Sequence, residues 1–175
     1  MLIVSLAIIL PIRYFLVEPF YVKGASMEPN FHDHEYLIID RLNYRLNTPN
    51  RGDVIVFRYP HDPREYYIKR VIGLPGETVE ITDAGVYIYN AEHKDGFKIP
   101  ESYLPKDLST VPINPAFTKY DLGVNEYYVL GDNRTASQDS RVFGPVNKSF
   151  IIGRVVFRGL PVDKFGKIEG ANYSQ

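Results

Sequence analysis

The chain has 175 residues, which suits one domain, or one domain with a small insertion. Lys+Arg total 20 against Asp+Glu 21, a net charge of -1, so nothing in the balance argues for a nucleic-acid partner. Cysteine is absent, which excludes disulfides and thiolate metal sites.

Four histidines (His32, His34, His61 and His93) show no metal-ligand spacing beyond the His32/His34 pair flanking Asp33, and neighbouring loop histidines are ordinarily solvated. Tyr 14 and Phe 10 with no Trp, alongside 13 Gly and 13 Pro, point to short strands and turns rather than a helical bundle.

Met1 to Leu10 is an apolar run broken only by Ser5, and the segment stays mostly apolar to Val22 despite Pro11, Arg13 and Glu18. A spanning helix needs about 20 apolar residues, more than this run supplies. A signal peptide would need a basic start and a small-residue cleavage site, and both are lacking. A buried core strand is a further reading. The preferred one is the end of a membrane anchor whose upstream part is missing, because the run opens the chain and leads into Tyr14-Phe15-Leu16-Val17. Glu18 and Pro19 close that stretch, and Phe20-Tyr21-Val22 follows as an extended segment.

Beyond a turn at Gly24 to Asn30, strands are expected at Tyr36–Asp40, Val54–Phe57 and Tyr66–Ile72, with a hairpin of Thr78–Ile81 and Val86–Tyr89 around Asp83-Ala84-Gly85. From Asn90 to about Gly123, where Pro100, Pro105, Pro112 and Pro115 fall, little regular structure is expected. Strands return at Glu126–Leu130 and Ile151–Phe157. The chain therefore reads as all-β, with short antiparallel strands in a partly open barrel or sandwich. Its expected divisions are an anchor and lead-in over 1–19, a catalytic β-domain over 20–89 and 124–175, and an insertion or flap over 90–123.

Three stretches carry chemistry. In Gly24-Ala25-Ser26-Met27-Glu28-Pro29-Asn30, small residues and a proline let the backbone around Ser26 approach a substrate closely. A lone serine is a weak nucleophile and needs a base in reach. The anomaly in the strand Tyr67-Ile68-Lys69-Arg70-Val71 is Lys69. On an exposed edge it would be solvated; turned inward it loses hydration, its pKa falls, and the neutral amine can serve as general base. The third stretch, Gly131 to Arg141, is so dense in small, polar and charged residues that any buried part of it needs partners for every group. It reads either as a solvated loop or as a support for the site.

Together these stretches resemble the type I signal peptidases, membrane-anchored Ser/Lys proteases that remove signal peptides from exported proteins. The matching residues are Gly24-x-Ser26-Met27-x-Pro29, Arg51-Gly52-Asp53-Val54-Ile55-Val56-Phe57, Tyr67 to Glu77, and Gly131-Asp132-Asn133-Arg134-x-x-Ser137-x-Asp139-Ser140-Arg141-x-x-Gly144. The resemblance implies Ser26 as nucleophile and Lys69 as base, with Ser137 holding the lysine and Asp132, Asp139 and Arg141 supporting the loop. It implies no metal and no cofactor. It also implies substrates with small side chains one and three residues before the cut, against walls at Phe20, Val22, Met27, Phe31, Tyr67 and Ile68. Partners are then exported preproteins and a lipid bilayer, with a monomeric, single-pass protein whose catalytic domain faces the outer side of a bacterial-type plasma membrane.

Two positions depart from the family pattern: Gly24 stands where some members have a serine, and Asn30 where many have threonine. Two other activities are weighed against this one. Self-cleaving repressors share the dyad but carry a DNA-binding domain before it, which is not seen ahead of Ser26 here. A peptide-binding β-domain without cleavage is the other.

Overall fold

A computed structural model describes residues 17–42, 44, 47–171 and 173. The anchor reading, which rests on Met1 to Leu10 and the aromatic run after it, lies outside these residues. Among the described residues no helix is long and apolar enough to cross a membrane.

The β-branched and aromatic runs form strands, several of them longer than the sequence suggests. β1 (Val17–Tyr21) pairs with β2 (Tyr36–Asp40) and includes Pro19, which the sequence presents as a break. An edge strand leaves one side of its backbone unpaired, and so accommodates a residue lacking an N–H. β3 (Val54–Tyr59) and β4 (Asp62–Gly73) form a hairpin that turns at Pro60-His61. The hairpin of β5 (Thr78–Thr82) and β6 (Gly85–Tyr89) follows. Residues 90–123 supply β7 (Phe97–Lys98), β8 (Lys119–Asp121) and a short 3-10 turn at Pro115–Phe117. Then come β9 (Glu126–Leu130), one helical turn α1 (Ser140–Phe143), β10 (Val146–Asn147), β11 (Ile151–Leu160) and β12 (Gly166–Lys167).

The ladders are antiparallel and build two sheets. The larger has the order β1-β2-β11-β3-β4-β9-β10 with β12 on β11, and it runs between two edges without closing into a barrel. The smaller has the order β7-β6-β5-β8, so the 90–123 stretch completes it. The all-β architecture is that expected from the sequence.

Apolar packing covers both faces of the larger sheet. Val54 and Val56 of β3 join one core cluster with Leu37, Ile39, Ile68 and Val155, while Ile55 and Phe57 join another with Val71, Tyr127, Val129 and Val146. Alternate residues of one strand thus meet two cores. That is why β3 reads as a continuous apolar run, and why Lys69 and Arg70 on the adjoining strand are buried whichever way they point.

Register then places the chemistry. β4 sets Lys69 opposite Ile55 of β3, and Arg70 opposite Leu130 of β9. The loop starting at Gly131 therefore leaves the sheet beside Lys69. The Ser26 turn follows β1 and is drawn to the same place by the Asn133 N–H, which donates to Ser26 O (3.1 Å).

Candidate active site

Lys69 Nζ lies 2.7 Å from Ser26 Oγ, and its other bond is to the carbonyl of Ile68 (2.8 Å). Lys69 is only 3% exposed. Burial lowers its pKa from 10.5 to about 8, partly opposed by the negative charges of Asp139 and Asp132. The desolvated amine therefore loses its proton at a lower pH than an ordinary lysine, around pH 8 and above, and the neutral form can accept a proton from a neighbouring hydroxyl.

Ser137, beside Gly131, does not make the expected bond to the lysine. Its Oγ is buried and has no hydrogen-bond partner among the described residues. It packs where a side chain at position 131 would be: a Cβ on Gly131 would lie 2.1 Å from Ser137 Oγ and 2.5 Å from Ser26 O. The glycine is what lets the loop come this close to the Ser26 backbone.

The rest of the loop is tied down by buried charge pairs. Arg141 grips Asp139 with both Nε (2.9 Å) and Nη2 (2.8 Å), and Asp139 Oδ2 also accepts from the Gly131 N–H (3.0 Å). Asp139 caps α1 as well, accepting from the Arg141 N–H. Asp132 is held by Arg70 (Nε–Oδ1 2.8 Å) and by Asn30 (Nδ2–Oδ2 2.9 Å). These fork-shaped pairs satisfy carboxylates that would otherwise be costly to bury.

Ser26 and Lys69 open on a cleft of about 430 Å³, walled by Phe20, Tyr67 and Ile68 and rimmed by Lys23, Arg64, Glu65 and Gln138. Val22, Met27 and Phe31 do not line it. They are buried in the core cluster that includes Ile68, and back the wall from behind. His32 and His34 neighbour Glu28 and Asp33 on the surface, and among the described residues no group of His, Cys, Asp or Glu could hold a metal ion.

The family model described as "Signal peptidase, peptidase S26" matches residues 1–160. The chain belongs to that family. Signal peptidase IB of Staphylococcus aureus strain Mu50 is 35% identical over 173 residues, covering 93% of this chain and 87% of that protein. A probable signal peptidase I-1 of Synechocystis is 35% identical over 176 residues, with 96% and 84% covered. The crystal structure of a signal peptidase I from Enterococcus faecalis V583 is similar at a TM-score of 0.51 and 34% identity, spanning 62% of this chain and 97% of that one.

Several residues that shape this signal peptidase site escape the sequence reading. Asn133 holds the Ser26 turn twice, through its N–H and through Nδ2 to Ala25 O (3.0 Å). Asp33 Oδ1 accepts from the Gly24 N–H (3.0 Å), fixing the turn's entry where Gly24 takes φ +87°. Gln138 meets Tyr67 across the rim (3.0 Å). Arg70 had a usable signal: a second cation inside an apolar run calls for a buried anion, and Asp132 is that anion.

Proposed function

We propose that this signal peptidase removes N-terminal signal peptides from exported preproteins, with Ser26 as the nucleophile and neutral Lys69 as the general base. The observation that carries the reading is the 2.7 Å approach of Lys69 Nζ to Ser26 Oγ at a buried amine. Neutral Lys69 takes the Ser26 proton as Oγ attacks the scissile carbonyl. The resulting ammonium passes that proton to the leaving amine, and a water activated by the same amine then cleaves the acyl-enzyme. With glycine at position 24, the Ser26 backbone N–H is the principal donor to the oxyanion, a role worth about 2.7–4 kcal/mol per donor.

The walls at Phe20, Tyr67 and Ile68 select small side chains before the cut by excluding larger ones. Val22, Met27 and Phe31 support this selection indirectly, by fixing the wall's position. Asp132, Asp139 and Arg141 keep the loop in place. Because Ser137 is not bonded to the amine, the orientation of Lys69 rests on Ile68 O and Ser26. The reading places an anchor in residues 1–19 and a monomeric catalytic domain on the outer side of the membrane.

The test is mass spectrometry of a preprotein with Ala one and three residues before its junction, incubated with the purified protein. A mature product beginning just after the second Ala is expected. An intact peptide that stays bound would favour the non-cleaving binder instead.

A further inference from the structure

Residues 90–123 complete the smaller sheet, and one of their side chains also meets the residues around the Ser26–Lys69 pair. We propose that Tyr103 is a positioning residue that locks the serine turn, the lysine strand and the loop after β9 against one another. The proposal rests on the Ser26–Lys69 reading above.

Tyr103 touches all three elements with different parts of itself. Its carbonyl accepts from Asn30 Nδ2 (3.0 Å), on the nucleophile turn. Its ring lies over the Arg70 guanidinium, 4.3 Å from centroid to Cζ, next to the lysine in β4. Its hydroxyl accepts from Arg134 Nη2 (2.8 Å), and Arg134 Nε in turn donates to Gly131 O (2.9 Å). Glu101 and Thr110, from the same stretch, also bind Arg134, which is buried.

The Ser26–Lys69 distance depends on two elements that are not joined by any ladder. Asn30 and Arg70 both bind the carboxylate of Asp132, which gives one common point. Packing of Met27 and Phe31 with Ile68 of β4 also joins them, but apolar packing is non-directional, so a single polar point leaves them free to pivot. Tyr103 supplies the second, because its carbonyl holds Asn30 while its ring covers Arg70. Asn30 is suited to this by having two amide donors, one for Asp132 and one for Tyr103 O; a threonine hydroxyl has a single proton and could serve only one.

Mispositioning of reacting groups lowers turnover more than it lowers substrate affinity. We would measure kcat, KM and thermal midpoint for Tyr103→Ala, Tyr103→Phe, Asn30→Ala and the double variant Asn30→Ala/Tyr103→Ala. Lys106→Ala, an exposed change in the same stretch, is the control. Tyr103→Ala is expected to lower kcat about tenfold or more with KM within about twofold. Tyr103→Phe, which keeps the ring over Arg70 and gives up only the hydroxyl, should lose less; the main-chain carbonyl that Asn30 meets is present in every variant. Asn30→Ala breaks the bonds to the Tyr103 carbonyl and to Asp132, and Tyr103→Ala removes the ring over Arg70; because both loosen the same junction of turn and strand, the double variant should lose less than the two singles combined.

A folded Tyr103→Ala with parental kcat, or with only a lower thermal midpoint, overturns the proposal, as does additivity in the double variant. Should Tyr103→Ala not fold, Asn30→Ala and Tyr103→Phe give the same decision. Ser26→Ala and Lys69→Ala are run alongside. If these still cleave, the dyad reading fails; if they are inactive while Tyr103→Ala keeps parental kcat, only the positioning role fails.

Discussion

The turn that carries Ser26 and the loop that follows β9 meet at the same cleft, yet one is largely exposed and the other largely buried. Lys23, Gly24, Ala25 and Pro29 face solvent, whereas Asp132, Arg134, Asp139, Ser140 and Arg141 do not. The turn's side-chain anchors come mostly from elsewhere: Asp33, Asn133 and Asp132. The loop is held by its own paired charges and by the sheet. A nucleophile must be reachable by a polypeptide, so its turn stays open; the precision that openness forfeits is supplied by a rigid neighbour. Substitutions in the two regions should therefore fail differently, one in rate and the other in stability.

The largest effect belongs to the pair itself, one member on the open turn and the other buried in β4. Ser26→Ala and Lys69→Ala should each lower kcat by about 10⁴-fold or more, as removing a nucleophile or its base does in serine proteases. Ser26→Ala should leave the urea midpoint close to that of the parent. Parental turnover in either variant would remove the basis for assigning the chemistry to this pair.

Next comes the buried region. Arg141→Ala strands the Asp139 carboxylate in the interior, where it still has the Gly131 and Arg141 N–H groups but no cation. Breaking such a pair costs about 3–5 kcal/mol, and equilibrium urea unfolding measures it. The exposed Arg64–Asp62 pair gives the contrast, since Arg64→Ala should leave the midpoint unmoved. Equal effects at both sites would mean that burial is not what distinguishes the loop.

Lys69 links the two regions, and pH separates its contributions. Its pKa of about 8 lies below the ordinary 10.5, so the folded protein holds this proton less tightly than the unfolded chain. As pH falls from 10.5 towards 8, the unfolded state takes up a proton that the folded state refuses, and stability declines; below about 8 both are charged and the loss levels off. The penalty at neutral pH is on the order of 3 kcal/mol. Lys69→Met should then abolish cleavage while flattening the stability profile between these pH values and raising the neutral-pH midpoint. In the parent, kcat/KM should fall as pH drops below about 8, because only the neutral amine accepts the serine proton. A stability slope unchanged in Lys69→Met would show that another group titrates in that range.

Much of this was legible in the sequence because it sits in local patterns. β-branched runs marked most of the strands, and a lysine inside such a run marked itself. What could not be read was contact between distant segments. Nothing local pairs Arg70 with Asp132, or sends Asn30 to both Asp132 and Tyr103, because those bonds depend on register and loop path. The pocket walls show the same limit. Phe20, Val22, Met27, Phe31, Tyr67 and Ile68 are all apolar, and only the fold separates those lining the cleft from those packed in the core behind it. Ser137 shows the limit of pattern too: a serine in a polar loop says nothing of whether its hydroxyl finds a partner, and here the buried Oγ has none among the described residues.

The smallest expected effect tests how the open turn is held. His34 has φ 68°, the left-handed region in which a side chain costs about 1–2 kcal/mol, and it follows the Asp33 that fixes Gly24. His34→Gly relieves that strain but frees the unfolded chain, an opposing term of about 0.4–1 kcal/mol. The net gain should therefore lie between about 0 and 1.6 kcal/mol, read as a slightly higher thermal midpoint. Turnover should not change, because the Asp33 carboxylate still reaches the Gly24 N–H. The His34 ring also packs edge-on to Tyr21, with centroids 5.6 Å apart. A lower midpoint would mean that this contact outweighs the backbone strain. A lower kcat would mean that the left-handed histidine itself sets the direction of Asp33, making the exposed turn depend on strain in the segment behind it as well as on the buried loop.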